Sequence, residues 1–193
     1  MSELIKSILQ ESCDIKQKVR QDEGLVKTIQ DVIDTCVSAL KNGNKLLLAG
    51  NGGSASDAQH IAAELVGRYE QDRKGLPALA LTTNTSELTA ISNDYGYDHV
   101  FQRQVQALAH SGDVFFGLST SGNSANVVNA IEQCKQQGVI TVAMTGDSGG
   151  KMKSMCDYCI NVPSVNTARI QEVHITVGHI ICKAIENTIF SAS

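Results

Sequence analysis

His60 and Glu64 stand four residues apart in Ala58-Gln59-His60-Ile61-Ala62-Ala63-Glu64-Leu65-Val66. On a helix that spacing puts an imidazole and a carboxylate on one face, a turn apart. Such a pair can ligate a divalent metal or move a proton near neutral pH. Its plainer role is a surface ion pair, which contributes little. A second polar group lies on an otherwise apolar segment, Arg169-Ile170-Gln171-Glu172-Val173-His174-Ile175-Thr176-Val177-Gly178-His179. Gln171, Ile175 and His179 form an i, i+4, i+8 row. Polar groups on a buried row are costly without partners, and a lone buried histidine is most often a satisfied core group. About 12 Å of helix separates Gln171 from His179. One site uses both only if long side chains reach inward or different subunits supply them. His99, His110 and His174 read as structural.

Two turns supply a different chemistry. Leu46-Leu47-Leu48-Ala49 runs into Gly50-Asn51-Gly52-Gly53-Ser54-Ala55-Ser56, and Val114-Phe115-Phe116-Gly117-Leu118 runs into Ser119-Thr120-Ser121-Gly122-Asn123-Ser124. Each apolar run reads as a buried strand and each turn leads into helical sequence. Free N–H groups at a helix start, the positive end of its dipole, glycine backbone and added hydroxyls make an anion site. Two such turns predict a phosphorylated small molecule. Asn93-Asp94 with Gly96 fits either a turn or polar contacts to sugar hydroxyls, and the sequence leaves both open.

These groups need a scaffold, and the pattern specifies one. Residues 2–42 carry apolar side chains at helical spacing: Leu4, Ile5, Ile8, Leu9, Ile15 and Val19, then Leu25, Ile29, Val32, Ile33, Val37 and Leu40. Gly24 is expected to separate two helices, and Asn42-Gly43 to end the second. This hairpin, residues 1–43, must pack on the domain's flank or on another subunit. From Lys45 onward strands are predicted near 45–49, 78–82, 113–118, 139–144 and 158–161. Helices are predicted near 54–67, 85–92, 98–110, 123–137 and 168–190. Nearly continuous apolar strands alternating with helices imply a doubly wound, five-stranded parallel sheet. No linker or repeat divides residues 1–193, which read as one domain. In such sheets ligands sit at the carboxyl ends of strands, where both turns fall.

Bulk properties narrow the function classes. The net charge is −4 and aromatic residues are only 4% of the 193-residue chain, with no Trp. No general attraction to nucleic acid or anionic membrane is expected, and stacking surfaces for bases are scarce. No apolar run is long enough to span a bilayer and the first residues lack a secretory h-region, so a cytoplasmic location is expected. Of the six cysteines, Cys156 and Cys159 form a CxxC pair. It lacks both a second pair and a helix N-terminus, so buried structural thiols are expected.

Taken together, Gly50-Asn51-Gly52-Gly53-Ser54, Ala58-Gln59-His60 with Glu64, Gly67-Arg68-Tyr69, Asn93-Asp94, Ser119-Thr120-Ser121-Gly122-Asn123-Ser124 and Arg169-Ile170-Gln171-Glu172 with His179 resemble the sedoheptulose 7-phosphate isomerases. These are sugar-isomerase (SIS) domain proteins with a flavodoxin-like sheet. The resemblance runs over nearly the whole chain. It implies conversion of sedoheptulose 7-phosphate to D-glycero-D-manno-heptose 7-phosphate, the first step toward ADP- or GDP-heptose for lipopolysaccharide or other surface glycans. It implies a cytoplasmic homotetramer with active sites between subunits and no nucleic-acid or membrane partner. By matching position, Ser54, Ser119, Thr120, Ser121 and Ser124 would hold the phosphate. Asn51, Gly52, Gly53, Asn93, Asp94, Glu64 and Gln171 would line the sugar site. His60, Glu64, Gln171 and His179 match the positions where members bind one zinc ion per subunit, and Glu64 and His179 match the proposed base and acid.

Two other readings compete. A non-catalytic SIS-domain relative binds the bacterial replication initiator; it resembles this chain at Gly43-Asn44-Lys45, Ala58-Gln59-His60 and Asn93-Asp94 but lacks counterparts of Glu64 and His179. A dinucleotide-binding domain fits Gly50-x-Gly52-x-x-Ala55 loosely. That reading needs an acidic residue after the second strand, where Thr82-Thr83-Asn84 stand instead.

Overall fold

A computed structural model describes residues 1–190; residues 191–193 of the predicted domain lie outside the described residues. Five parallel strands, β1 (Leu46–Gly50), β2 (Ala78–Ala80), β3 (Val114–Leu118), β4 (Ile140–Thr145) and β5 (Tyr158–Asn161), stand in the order β2-β1-β3-β4-β5. This is the predicted doubly wound sheet. The order reverses between β1 and β3, which makes their carboxyl ends the switch point where ligands bind in such folds. The two strands are in register, Leu46 opposite Val114 through Gly50 opposite Leu118, so the two predicted anion turns leave the sheet side by side.

Alternation along β1 sends Leu46 and Leu48 to one face and Leu47 and Ala49 to the other, and each face has its own core. The first core is closed by α1 (Ser2–Gln21), α2 (Glu23–Lys41), α3 (Gly53–Val66) and α8 (Thr167–Phe190). The second is closed by α4 (Thr85–Tyr95), α5 (Val100–Leu108), α6 (Ala125–Gln136) and α7 (Met152–Met155). With both faces covered, the strands had to read as unbroken apolar runs.

The helical hairpin breaks at Asp22, not at Gly24. Asp22 leaves the helical region (φ −84°, ψ 93°) and its carboxylate accepts the Leu25 N–H at 2.9 Å. An aspartate N-cap satisfies an orphan donor that glycine cannot, so Gly24 lies inside the first turn of α2. The hairpin also divides unequally. Helix α2 buries eight side chains, whereas α1 buries only Ile15. Leu4, Ile5 and Leu9 remain 57%, 54% and 61% exposed. The Arg169 guanidinium ties α1 to the body by pairing with Glu11 at 3.3 Å and with Glu172 on its own helix.

Asn93-Asp94 are not a turn but the last turn of α4, which runs three residues past the predicted end and stops at Gly96 (φ 88°). A 3-10 turn, Tyr97–His99, then opens α5. Helix α7 has no counterpart in the sequence prediction. Cys156 follows α7 and caps its carboxyl end; the six cysteines are all free thiols, and burial pushes Cys156 up to about 12.

His174 is fully buried on α8, its Nε2–H donating to the Thr145 carbonyl at 3.2 Å while Nδ1 has no partner among the described residues. Burial lowers its pKa to about 4, despite that hydrogen bond. In the unfolded chain the imidazole takes its proton near the ordinary 6.5. Between these values the unfolded state holds the extra proton, so His174 subtracts stability as pH falls from about 6.5 toward 4 and not above. His174→Gln is therefore expected to gain stability relative to the unmodified chain on going from pH 7 to pH 4, by about 3 kcal/mol. Urea midpoints of the two proteins across that range measure it. A pH-independent difference would contradict the assignment.

Candidate active site

The first turn is built by Gly52, which takes φ 55° and starts α3 without a side-chain cap. A Cβ on Gly50 would lie 2.7 Å from the Ser54 carbonyl oxygen, so only glycine lets the strand fold back onto the helix start. Ser54 is buried. Asn51 is fixed from two directions. Its amide exchanges two 2.9 Å hydrogen bonds with Asn126 of α6, and its Oδ1 also accepts from the Tyr97 hydroxyl at 2.9 Å. Neither Asn126 nor Tyr97 is marked by local sequence, since the partner of each lies far away in the chain.

In the second turn the Ser119 and Ser124 hydroxyls stand 2.8 Å apart and Ser119 and Ser121 3.4 Å apart. Ser124 is the N-cap of α6 yet makes no side-chain cap bond. Its hydroxyl instead meets that of Ser119 beside the start of the helix, an arrangement suited to a phosphate. Gly122 (φ 64°) closes the turn against a third loop, Gly146 to Gly150, from the end of β4. Gly146 N–H donates to the Thr120 carbonyl, Met152 N–H to the Gly122 carbonyl, and Lys151 N–H to Asn123 Oδ1, all at 3.0–3.1 Å. This bracing loop was missed in the sequence. A cleft of about 320 Å³ opens between Thr120, Ser121, Asn123, Asp147, Ser164 and Thr167. A larger one of about 500 Å³, lined by Asp31, Asp34, Thr35 and Tyr158, lies at the amino ends of the strands, the wrong end for a ligand in this architecture.

Helices α3 and α8 pack side by side and bring the predicted catalytic groups together. His60 Nε2 is 3.0 Å from Glu64 Oε1 and 3.4 Å from His179 Nε2. A candidate ligand atom from each of the three residues lies within 4.8 Å of the others. The helices come close at Gly178, where a Cβ would lie 2.6 Å from Ile61 Cδ1 and 2.7 Å from its Cγ1, so a larger residue would force the Ile61 side chain to move beside the contact of His179 with His60. The His60 and His179 rings meet edge to face, centroids 4.9 Å apart, and the Tyr69 ring lies 5.8 Å from that of His179. Four-coordinate zinc with bonds of about 2.0–2.1 Å to nitrogen sets its ligand atoms about 3.3 Å apart, close to the 3.0 and 3.4 Å that separate His60 from Glu64 and His179, all three lying within 4.8 Å of one another. The donor set fits the metal.

Gln171 does not join that trio directly. It sits two turns earlier on α8, where its amide lies against Gly53 so closely that a Cβ on Gly53 would be 2.6 Å away. It bridges the first turn and the helix that carries His179. Asn93 and Asp94 are exposed at the end of α4, paired with each other at 2.8 Å. One acidic group went unread in the sequence. Asp57 precedes His60 by about a turn, and its Oδ2 is buried without a partner among the described residues. Burial pushes its carboxyl up to about 6, opposed by the nearby His60.

Two hydroxyl-rich turns at a switch point, with a histidine–carboxylate cluster on the helices that follow, define a SIS-type sugar-phosphate domain. Residues 10–146 match the family model for the SIS domain. Within that class the chain belongs to the phosphoheptose isomerase family. It is 57% identical over 190 residues to the phosphoheptose isomerase of Aneurinibacillus thermoaerophilus, covering 98% of this chain and 96% of that one. It is 53% identical to phosphoheptose isomerase 2 of Campylobacter jejuni, covering 98% and 94%. Among solved structures, the phosphoheptose isomerase of Neisseria gonorrhoeae superposes with a TM-score of 0.91 at 45% identity, covering 96% of this chain and 98% of that one.

Proposed function

We propose that this protein converts sedoheptulose 7-phosphate to D-glycero-D-manno-heptose 7-phosphate, opening the supply of activated heptose for surface glycans. The observation that carries the reading is the convergence of Glu64, His60 and His179 beyond two anion-binding turns. His60 lies seven residues past Gly53, about 10 Å of helix. The carbonyl end of a seven-carbon sugar is likewise remote from its 7-phosphate. Phosphate would sit on Ser54, Ser119, Thr120, Ser121 and Ser124, and the chain of hydroxyls along Asn51, Gly52, Gly53, Asn93, Asp94 and Gln171.

Glu64 would take the proton from C1 of the ketose and return it to C2 of the enediol. His179 would protonate or deprotonate the neighbouring oxygen as the double bond shifts. His60, Glu64 and His179 would hold a zinc ion, with the fourth position filled by a Gln171 brought from another subunit because this chain's own Gln171 lies against Gly53; the ion when bound would supply Lewis-acid polarisation of the sugar carbonyl. With two carboxylate oxygens, Glu64 would help hold the metal through one and move the proton with the other. The apolar stripe of α1, Leu4, Ile5 and Leu9, supports a homotetramer with sites completed between subunits. Six free thiols support a cytoplasmic location. Among the described residues no helix is long and apolar enough to cross a membrane.

The test is turnover of sedoheptulose 7-phosphate, coupled to a heptose kinase, before and after chelation. Activity is expected, to fall at least tenfold on chelation and to return with zinc. No turnover by folded, zinc-supplied protein would overturn the reading and leave a sugar-phosphate binder without catalysis.

A further inference from the structure

A buried ion pair lies outside the site and connects its two helices. Glu186 is on α8, seven residues beyond His179 and so on the same face two turns on. Its side chain is 1% exposed, and that of Arg73 is 2% exposed. Glu186 accepts three consecutive backbone N–H groups, from Tyr69 at 3.1 Å and from Glu70 and Gln71 at 2.9 Å, and the Arg73 Nε–H at 2.9 Å. Burial opposes its charge, but these donors outweigh that and hold the carboxyl down at about 2. Arg73 spends its remaining donors on carbonyls at the end of α3 and the loop after it. They go to Leu65 at 2.7 Å, Glu64 at 2.9 Å, Gly67 at 3.1 Å and Lys74 at 3.2 Å. The backbone of Glu64 is thus bonded to Arg73, Arg73 to Glu186, and Glu186 sits on the helix of His179. The same carboxylate fixes Tyr69, whose ring lies against His179.

We propose that Arg73 and Glu186 are positioning residues that set the separation of Glu64 and His179. The inference rests on the reading of that cluster as a metal and proton-transfer site. Arg73 closes the carbonyl end of α3 and Glu186 holds that cap onto α8, while the same carboxylate fixes Tyr69, whose ring is tilted beside His179 at 5.8 Å, so the pair governs both helices of the cluster and one of its walls. Outer partners that orient metal ligands typically change affinity by 10–100-fold when removed, and a pair reaching both ligand-bearing helices belongs in that range. The first phosphate turn lies at the opposite end of α3 and the second at the start of α6, so binding of the phosphate end is expected to be unaffected.

The experiment uses the full chain with Glu186→Gln, Arg73→Lys and, as a surface control, Lys183→Ala, which removes only the exposed Lys183–Glu70 pair. Cobalt(II) alone is titrated into metal-free protein and followed by its visible absorption. Folding is checked by circular dichroism and inorganic phosphate affinity by competition. Glu186→Gln and Arg73→Lys are expected to bind cobalt at least tenfold more weakly and to lose kcat with KM little changed. Lys183→Ala is expected to match the unmodified protein. Folded variants with unchanged cobalt affinity and kcat would overturn the proposal. Equal loss of cobalt and phosphate affinity would also overturn it, as general loosening. If the unmodified protein binds no cobalt, it is the metal-site reading that fails. Should Glu186→Gln not fold, Arg73→Lys, which keeps the charge and loses only the fork, decides between the outcomes.

Discussion

Glu64→Gln is expected to reduce turnover of sedoheptulose 7-phosphate by about 10³-fold, within the 10²–10⁴ that a positioned base contributes. That corresponds to about 4 kcal/mol of barrier. Glutamine preserves the length of the side chain and an oxygen 3.0 Å from His60 Nε2, so packing between α3 and α8 is unchanged. It removes the ability to accept a proton. The comparison that separates base from ligand is His60→Ala, which removes a metal-binding group but no proton acceptor in the mechanism. Excess zinc is expected to restore part of the activity of His60→Ala and none of that of Glu64→Gln. Measured kcat at saturating zinc checks this. Recovery of Glu64→Gln by zinc would reduce Glu64 to a ligand and move the proton transfer elsewhere, with Asp57 the nearest unassigned carboxylate on that helix.

Gly122→Ala is expected to damage the phosphate site more than any single hydroxyl deletion. The added Cβ would lie 2.1 Å from the Gly149 carbonyl oxygen and 2.9 Å from the Gly150 nitrogen, at a residue with φ 64°. Backbone cannot rotate aside as a side chain can, so the second turn and the loop after β4 must separate. The left-handed conformation costs an alanine about 1–2 kcal/mol, and overpacking about 1–3 kcal/mol more. Separation breaks the Met152 to Gly122 and Gly146 to Thr120 hydrogen bonds and lets Ser119, Ser121 and Ser124 drift apart. Losing two charge-assisted bonds to phosphate, at about 1.5 kcal/mol or more each, predicts a KM increase on the order of 100-fold. Steady-state kinetics with a thermal melt checks both parts; an unchanged KM would show that the turn does not hold the phosphate.

What the sequence disclosed follows from the range of the forces involved. The sheet was readable because burial on both faces makes each strand a short apolar run, and parallel alternation leaves few topologies. The two anion turns were readable because glycine and hydroxyl residues are needed there locally. The break at Asp22 was misread because a capping carboxylate two positions earlier outcompetes a glycine. The end of α4 was set too early, at residue 92, because Asn93 and Asp94 read as turn formers; the helix carries them on to Gly96. The meeting of His60 and Glu64 with His179 could be suspected only through resemblance. It depends on a helix crossing that Gly178 and Ile61 permit, 117 positions apart in the chain (178 − 61). Asn126, Tyr97, the loop after β4 and the Arg73–Glu186 link share that property: each acts on a partner far away in sequence, and nothing beside it marks the role.

The most direct test of the account is the fate of the migrating hydrogen. Sedoheptulose 7-phosphate is incubated with the zinc-supplied protein in D2O and the products are followed by NMR. The expected product is the aldose, D-glycero-D-manno-heptose 7-phosphate, carrying deuterium at C2, because a base such as Glu64 exchanges its proton with solvent before returning it to the enediol. Aldose formed without any deuterium at C2, or no aldose at all from folded protein, would contradict it.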